Sequence, residues 1–198
     1  MRSIAVVLAA CCACLGGHQP HYDYYVLTAA NMPARTAPPA PAEPTVGISQ
    51  VSIPKYLERE PIVTRTDDER ITYSKRDRWA EPLEAAFERV LEQDLAAALA
   101  PAGVTVPPRT SSPTYDVQVD VLRFERRATQ QVELWARWSV RRESQLVYTD
   151  ESRVQIRTAG LDNAAATAAL SQAISQLASN IAVQVKHATA VARAESGK

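Results

Sequence analysis

The chain has 198 residues, which is enough for one domain of ordinary size with tails and too few for two large domains. Lys plus Arg and Asp plus Glu each number 22, and a formal net charge of zero argues against nucleic acid as a partner. Cys11, Cys12 and Cys14 are the only cysteines, so a disulfide scaffold, a zinc ribbon and a cysteine nucleophile are excluded from the later chain.

The first residues have the pattern of a bacterial lipoprotein signal. A positive Arg2 precedes a short apolar run that ends in Leu8-Ala9-Ala10-Cys11, a lipobox. This run is too short to cross a bilayer as a helix, whereas several acyl chains (palmitate among them) on one cysteine anchor a protein stably. We therefore predict a signal peptide over 1–10 and lipidation of Cys11, with Cys14 as the second choice. No Asp follows Cys11, so we expect delivery to the outer membrane.

One folded domain is expected over 22–192. A tether over 11–21 joins it to the anchor, and a short tail over 193–198 follows it. Five prolines stand between residues 33 and 44. Because proline has no N–H to donate to a strand ladder, 33–44 is predicted to be an extended insertion within the domain.

The first half of the domain predicts strands and then a helix. Aromatic and β-branched residues favour strands over 22–27 and 46–53. A hairpin is predicted over 62–73, around the acid-rich turn at 66–69. Apolar residues then recur at three- and four-residue spacing, which predicts a helix over 79–99.

The second half repeats that order. Apolar and polar residues alternate over 115–121 and 131–141, which is typical of antiparallel strands with one buried face. A further strand, with a bulge, is predicted over 146–156, and an Ala-rich amphipathic helix over 161–192. The fold class is therefore predicted to be α+β: an antiparallel sheet with two amphipathic helices packed on one face.

The chain offers no constellation of residues for catalysis, for a metal or for a cofactor. His18, His21 and His187 share no motif, and neither a Gly-rich phosphate loop nor Gly-x-Ser-x-Gly is present. The acidic turn at 66–69 lacks the spaced ligands and the glycine of an EF-hand. We therefore expect a protein that is not an enzyme and needs no cofactor.

Charged side chains of opposite sign mark candidate partner surfaces. Arginines cluster on one predicted hairpin, from Arg123 to Arg142, and glutamates follow the polar side of the first helix. The candidate interface residues are Arg123, Arg126, Arg127, Trp135, Arg137, Arg141, Glu81, Glu84 and Glu88. Two such patches allow copies of the chain to pair head to tail in a homo-oligomeric ring. The alternative is that both patches are simply solvated.

Aromatic residues divide between the core and a candidate surface. Trp79 and Phe87 fall on the apolar side of the first helix, and Trp138 falls on the apolar side of its strand. Because side chains alternate along a strand, Trp135 points to the opposite face from Trp138. Trp135 is therefore an interface candidate, unless a loop covers it.

Four stretches carry a resemblance to a known family. They are Tyr24-Tyr25-Val26-Leu27; Val51-Ser52-Ile53-Pro54-Lys55-Tyr56-Leu57 with Pro61-Ile62-Val63-Thr64-Arg65; Arg78-Trp79-Ala80-Glu81-Pro82-Leu83 with Leu91-Glu92-Gln93-Asp94-Leu95; and Val121-Leu122-Arg123-Phe124-Glu125 with Ala136-Arg137-Trp138-Ser139-Val140. In this order they resemble the ABC-type transport auxiliary lipoproteins, the PqiC/YmbA-like family. The insertion at 33–44 and the extra cysteines depart from the family pattern.

The resemblance implies a fold similar to the TolB N-terminal α/β module, with no catalytic residues. It also implies a lipid-anchored protein on the inner leaflet of the outer membrane, facing the periplasm. Such proteins work with an MCE-domain protein and with an ABC permease and ATPase, in systems that move lipids between membranes and support envelope integrity. The alternative is a structural envelope lipoprotein that scaffolds or activates a peptidoglycan enzyme.

Replacing Cys11 with Ala should leave an unprocessed precursor or release the protein from membranes, because the thiol is the point of acylation. Membrane fractionation and mass spectrometry of the N-terminal peptide measure this. Cys14→Ala is the matched control and should remain acylated. Acylation that survives Cys11→Ala but is lost in Cys14→Ala would identify Cys14 as the anchor.

Overall fold

The computed structural model of the chain describes residues 21–30, 44–107 and 112–196. In these residues, seven strands form one sheet and two long helices pack on it. The strands are β1 (Asp23–Tyr25), β2 (Val46–Ser52), β3 (Pro61–Arg65), β4 (Ile71–Trp79), β5 (Tyr115–Arg127), β6 (Gln131–Arg142) and β7 (Gln145–Arg157). The helices are α1 (Leu83–Leu99) and α2 (Asn163–Ser196). The predicted α+β class is confirmed.

The sheet is mixed, which corrects the expectation that it would be antiparallel throughout. Strands β5, β6 and β7 form an antiparallel meander, and β3 and β4 form an antiparallel pair. However, β1 pairs with β4 in parallel, and both β2 and β3 run parallel to β5. Parallel pairing requires a long crossover, and the chain between β2 and β5 provides one because it contains β3, β4 and α1.

The alternation of side chains along β6 decides which face of the sheet the helices cover. Every second residue is apolar and almost fully buried: Val132, Leu134, Ala136, Trp138 and Val140. The polar atom of the largest of these side chains is satisfied, since Trp138 Nε1 donates to Ser152 Oγ at 2.9 Å. The helices therefore pack on the face that β6 makes apolar.

Both helices bury one stripe of apolar residues against this face. On α1, Phe87 is fully buried and meets Phe124 of β5 edge to face, with 5.2 Å between ring centroids. On α2, alanines such as Ala173 and Ala178 alternate with large aliphatic residues such as Ile174 and Leu177, and all four are buried. The small alanines allow the backbone of α2 to approach its neighbours closely. The predicted core positions Trp79, Phe87 and Trp138 are confirmed, with exposed fractions of 5%, 0% and 3%.

The first helix begins later than predicted. Trp79 is the last residue of β4, and α1 starts at Leu83. The N–H of Trp79 donates to Glu60 O at 2.8 Å, and that of Ala80 donates to Tyr25 O at 2.9 Å. These sheet bonds hold the backbone extended, so Trp79 enters the core from a strand although its spacing from Leu83 is helical.

The strand that follows β6 is continuous, as predicted. It runs from Gln145 to Arg157, with an irregularity in its register opposite Val140 and Arg141. Glu143 and Ser144 form the turn before it, with φ angles of 50° and 69°. Two positive φ angles are those of a tight type I′ hairpin, so the turn sets the pairs Arg142–Gln145 and Arg141–Leu146, and the irregularity at Val147 shifts the register of the rest of the strand.

Helix α2 is the longest element, with 34 residues. Asp162 caps its start, because Asp162 Oδ1 accepts the N–H of Ala165 at 2.7 Å. No helix within the described ranges combines the length and the apolar character needed to cross a bilayer.

Truncating Phe87 to Ala should lower the free energy of unfolding by about 3–5 kcal/mol, because it leaves a cavity beneath Phe124 in a closely packed layer. Denaturant unfolding measures the change. Glu84→Ala, on the exposed side of the same helix, is the control and should change stability by less than about 0.5 kcal/mol. Equal losses for the two variants would place Phe87 outside the core.

Candidate functional site: the uncovered face of the sheet

The face of the sheet that points away from the helices is polar, and we call it the uncovered face. On β5, β6 and β7 its side chains form rows across the three strands. One row consists of Arg123, Trp135 and Arg153. The adjacent row consists of Glu125, Glu133 and Gln155. These rows follow from the strand register, because residues in register have neighbouring side chains on one face.

Glu133 is the centre of this face. Its carboxylate is fully buried, although neither α1 nor α2 covers it. Arg127 Nη1 donates to Oε2 and Arg153 Nε donates to Oε1, each at 2.7 Å. Arg123 Nη1 and Gln155 Nε2 add longer contacts of 3.4 Å. The carboxylate is thus enclosed by side chains from all three strands, and we call these five residues the Glu133 cluster.

The hydrogen bonds keep Glu133 ionised. Burial by itself would raise the pKa of Glu133, but the hydrogen bonds from Arg127, Arg153 and Gln155 and the charge of Arg153 outweigh it. Together they lower the pKa from 4.5 to about 2. The Glu133 cluster therefore contains three positive charges and one negative charge at neutral pH.

Trp135 lies beside the cluster. The guanidinium carbon of Arg123 is 5.4 Å from the centroid of its ring, and that of Arg153 is 5.3 Å away. Both distances are in the range of cation–π attraction. Trp135 Nε1 is buried and has no acceptor among the described residues. Within the described residues, the guanidinium groups of Arg123 and Arg153 thus lie against the half-buried ring of Trp135.

A second ion pair continues this arrangement toward β3. Arg65 Nε donates to the carboxylate of Glu125, which is also buried. Tyr56 lies next to this carboxylate. Burial raises the pKa of the Tyr56 phenol, and the negative charge of Glu125 raises it further. The phenol therefore stays neutral at physiological pH.

The other half of the uncovered face is a shallow polar groove of about 380 Å³. It is lined mainly by amides, hydroxyls and a few charges: Gln50, Ser52, Gln118, Asp120, Arg137 and Ser139. Arg137 Nε donates to Glu151 Oε2 at 3.2 Å, and both side chains are exposed. This half carries one positive charge, on Arg137, and two negative charges, on Asp120 and Glu151, whereas the Glu133 cluster has an excess of positive charge.

The candidate arginines that sequence analysis grouped together have different surroundings. Arg123, Arg127, Arg137 and Arg141 lie on the uncovered face, and Arg141 donates to Ser144 O at 3.0 Å. Arg126 points to the helix side of the sheet. It donates to Asn163 Oδ1 at 3.2 Å and to Leu161 O, and so binds the start of α2.

The candidate glutamates lie on α1 or just before it. Glu81 accepts a hydrogen bond from Arg89 Nη2, and Glu84 is exposed. Glu88 is half-buried and has an interaction partner. Cys11 and Cys14 lie outside the described residues, so their lipidation stays a prediction.

Sequence reasoning missed Glu133, Arg153 and the pair Arg65–Glu125. Strand alternation already placed Glu133 on the same face as Trp135. The contact of Arg153 with Glu133 depends on the register of β7. That register changes at the irregularity near Val147, so it could not be obtained by counting residues from the hairpin turn. The contact of Arg65 with Glu125 depends on the parallel pairing of β3 with β5. In the part of the chain that the structure describes, no group of three His, Cys, Asp or Glu side chains could hold a metal ion.

Comparison with known proteins identifies relatives of this fold. A family model described as "ABC-type transport auxiliary lipoprotein component" matches residues 25–182. No curated protein sequence matches the chain. The match to the family model confirms the resemblance seen in the sequence.

Solved structures share the architecture. A crystal structure of an uncharacterized protein matches with a TM-score of 0.72 and 21% identity, covering 83% of this chain and 99% of that chain. Protein XCC0632 from Xanthomonas campestris, of family DUF330, matches with a TM-score of 0.65 and 18% identity, covering 84% and 99% of the two chains. At these identities the likeness concerns the fold alone.

Glu133→Gln should remove a pH-dependent part of the stability. Because the folded pKa of about 2 lies below the ordinary value of 4.5, ionised Glu133 stabilises the fold above about pH 4.5, and this contribution is lost as the pH falls toward 2. Allowing for solvent at the half-exposed Arg153, the loss is about 2 kcal/mol. Denaturant unfolding between pH 7 and pH 2 should therefore show a shallower acid dependence in Glu133→Gln.

The same variant should also be less stable than the wild type at pH 7, by about 3 kcal/mol, because three arginines lose their shared carboxylate. Glu151→Gln is the matched control. It removes a glutamate from an exposed pair on the same face and should cost less than about 1 kcal/mol. A Glu133→Gln curve parallel to that of the wild type at every pH would contradict the assignment.

Proposed function

This chain belongs to the ABC-type transport auxiliary lipoprotein family, and we propose that it is a non-enzymatic, periplasm-facing subunit of an intermembrane lipid transport system. In this proposal Cys11 anchors it to the inner leaflet of the outer membrane. Its partners are an MCE-domain protein and, through it, an ABC permease and ATPase. The observation that carries the proposal is the family match, which extends from β1 well into α2 and so covers the folded domain.

We assign the contact with the partner to the uncovered face, and an acidic surface to the partner. The Glu133 cluster supports this assignment, because Arg123, Arg127 and Arg153 have only the buried Glu133 and the exposed Asp68 as carboxylate partners, which leaves one excess positive charge. The hydrogen bonds to Glu133 fix the guanidinium groups before binding, so little side-chain freedom is lost on contact. Trp135, stacked with two of these arginines, adds an aromatic group of the kind enriched in interfaces.

A ring of identical copies is a further part of the proposal. The acidic side of α1 presents the exposed Glu84, while most of the candidate arginines already bind acceptors within their own sheet. Few charges of the two patches therefore remain available for pairing between copies. Such a ring would depend on shape and apolar contacts more than on salt-sensitive ion pairs.

The lipidated protein, extracted from membranes with mild detergent, should co-purify with an MCE-domain protein. Arg137→Glu places a negative charge on the uncovered face and should weaken this association at least about tenfold, because like charges across an interface cost several kcal/mol. Affinity purification followed by quantitative mass spectrometry measures both effects. The mass of the complex gives the number of copies.

Arg193→Glu is the matched control, because it reverses the charge of an exposed arginine at the far end of α2. It should leave the association unchanged. Equal retention of the partner by both variants would contradict docking through the uncovered face. Recovery of a peptidoglycan enzyme instead of an MCE-domain protein would contradict the transport role and support the scaffolding alternative.

A further inference from the structure

A second site lies away from the Glu133 cluster. The C-terminal part of α2 and the tip of the β6–β7 hairpin border a groove of about 320 Å³. Val147 and Tyr148 of β7 and Ala188 and Val191 of α2 form its apolar walls. The volume is near the lower end of the roughly 300–1,000 Å³ typical of small-molecule sites. A groove of this volume is large enough for one narrow apolar chain.

The border of this groove is unusually apolar for a surface. Val147 and Val191 are 43% and 45% exposed although they line the groove. Val183, one turn of α2 before His187, is 59% exposed. Exposed aliphatic side chains around a concave apolar surface indicate that a ligand covers it. A chain of methylene groups lying in the groove would cover Val147 and Val191.

One arginine side chain also lines this groove. Arg142, the last residue of β6, lines it and forms no ion pair with any described residue. The neighbouring Arg141 differs, since it donates to Ser144 O. An unpaired cation at the mouth of an apolar groove matches a ligand that has an anionic group at the end of an apolar chain.

We propose that this groove binds one acyl chain of a lipid and that Arg142 binds the phosphate of the head group. His187 and Glu195 also line the groove. Glu195 disfavours a purely anionic head group but suits a zwitterionic one, whose ammonium group it would bind. The chemistry is thus that of an ethanolamine phosphate attached to an acyl chain. The inference deepens the proposed function, since it names the lipid that such a subunit would handle.

The test uses the full chain with Cys11, Cys12 and Cys14 replaced by Ser, so that no acyl chain of its own competes. The probe is a monomeric lysophosphatidylethanolamine with a photoactivatable acyl chain. We expect saturable binding, with cross-links to β7 and to the C-terminal part of α2. Vesicles of phosphatidylethanolamine with the same label test whether the chain also takes the lipid from a bilayer. Inorganic phosphate should not compete measurably, because it lacks the acyl chain.

Two pairs of variants distinguish binding of the acyl chain from binding of the head group. Ala188→Trp fills the groove and should abolish binding, whereas Ala190→Trp, on the exposed side of the same helix, should not. Arg142→Gln should weaken binding of the lysolipid about tenfold, as expected for the loss of one charged hydrogen bond. Arg142→Gln should leave binding of dodecyl maltoside, which has a similar chain and no charge, unchanged. Arg157→Gln, at the other end of β7, is its control.

Three results would overturn the proposal. They are absence of lysolipid binding by the unsubstituted groove, equal binding by Ala188→Trp with an unchanged melting curve, and a groove that is filled by a second copy. The last would appear in sedimentation as a dimer that Ala188→Trp makes monomeric. Because no partner protein is present, these results are independent of the co-purification on which the proposed function rests.

Discussion

The burial of one carboxylate on the side of the sheet away from α1 and α2 is the constraint on which the uncovered face depends. Glu133 is as inaccessible as the apolar residues on the other side of β6, so its charge must be compensated from within the sheet. Side chains from β5 and β7 provide this compensation at 2.7–3.4 Å. The register of the meander and the charge compensation of Glu133 therefore depend on each other. A shift of one residue in the strand pairing would move the arginines to the opposite face of the sheet from Glu133.

The two faces of the sheet stabilise the domain in different ways. The helix side buries apolar area, which is insensitive to salt and direction. The uncovered face uses directional hydrogen bonds between charges, which hold side chains in place but contribute less net stability. A surface with fixed arginines and an aromatic ring suits recognition better than it suits catalysis. The fold thus separates a packing face from a face available to a partner.

The two proposed sites lie toward the same edge of the sheet. The strand order runs from β1 at one edge to β7 at the opposite edge. The acyl groove includes the start of β7, and the Glu133 cluster includes its later residues. Both proposed sites therefore include residues of β7, the strand at the edge of the sheet opposite β1.

Local patterns in the sequence determined the class of fold, the faces of β6 and the stripes of both helices, because period-two and period-3.6 alternation are set by backbone geometry alone. Trp138 and Phe87 could be placed in the core and Trp135 outside it for this reason. Only the tertiary structure decided the parallel pairings of β1, β2 and β3, the strand conformation at Trp79, and the neighbours of Glu133, Arg65 and Arg142. These depend on contacts between residues far apart in the chain, on one irregularity in β7, and on the position at which a long helix ends over a hairpin. No local spacing encodes such distances.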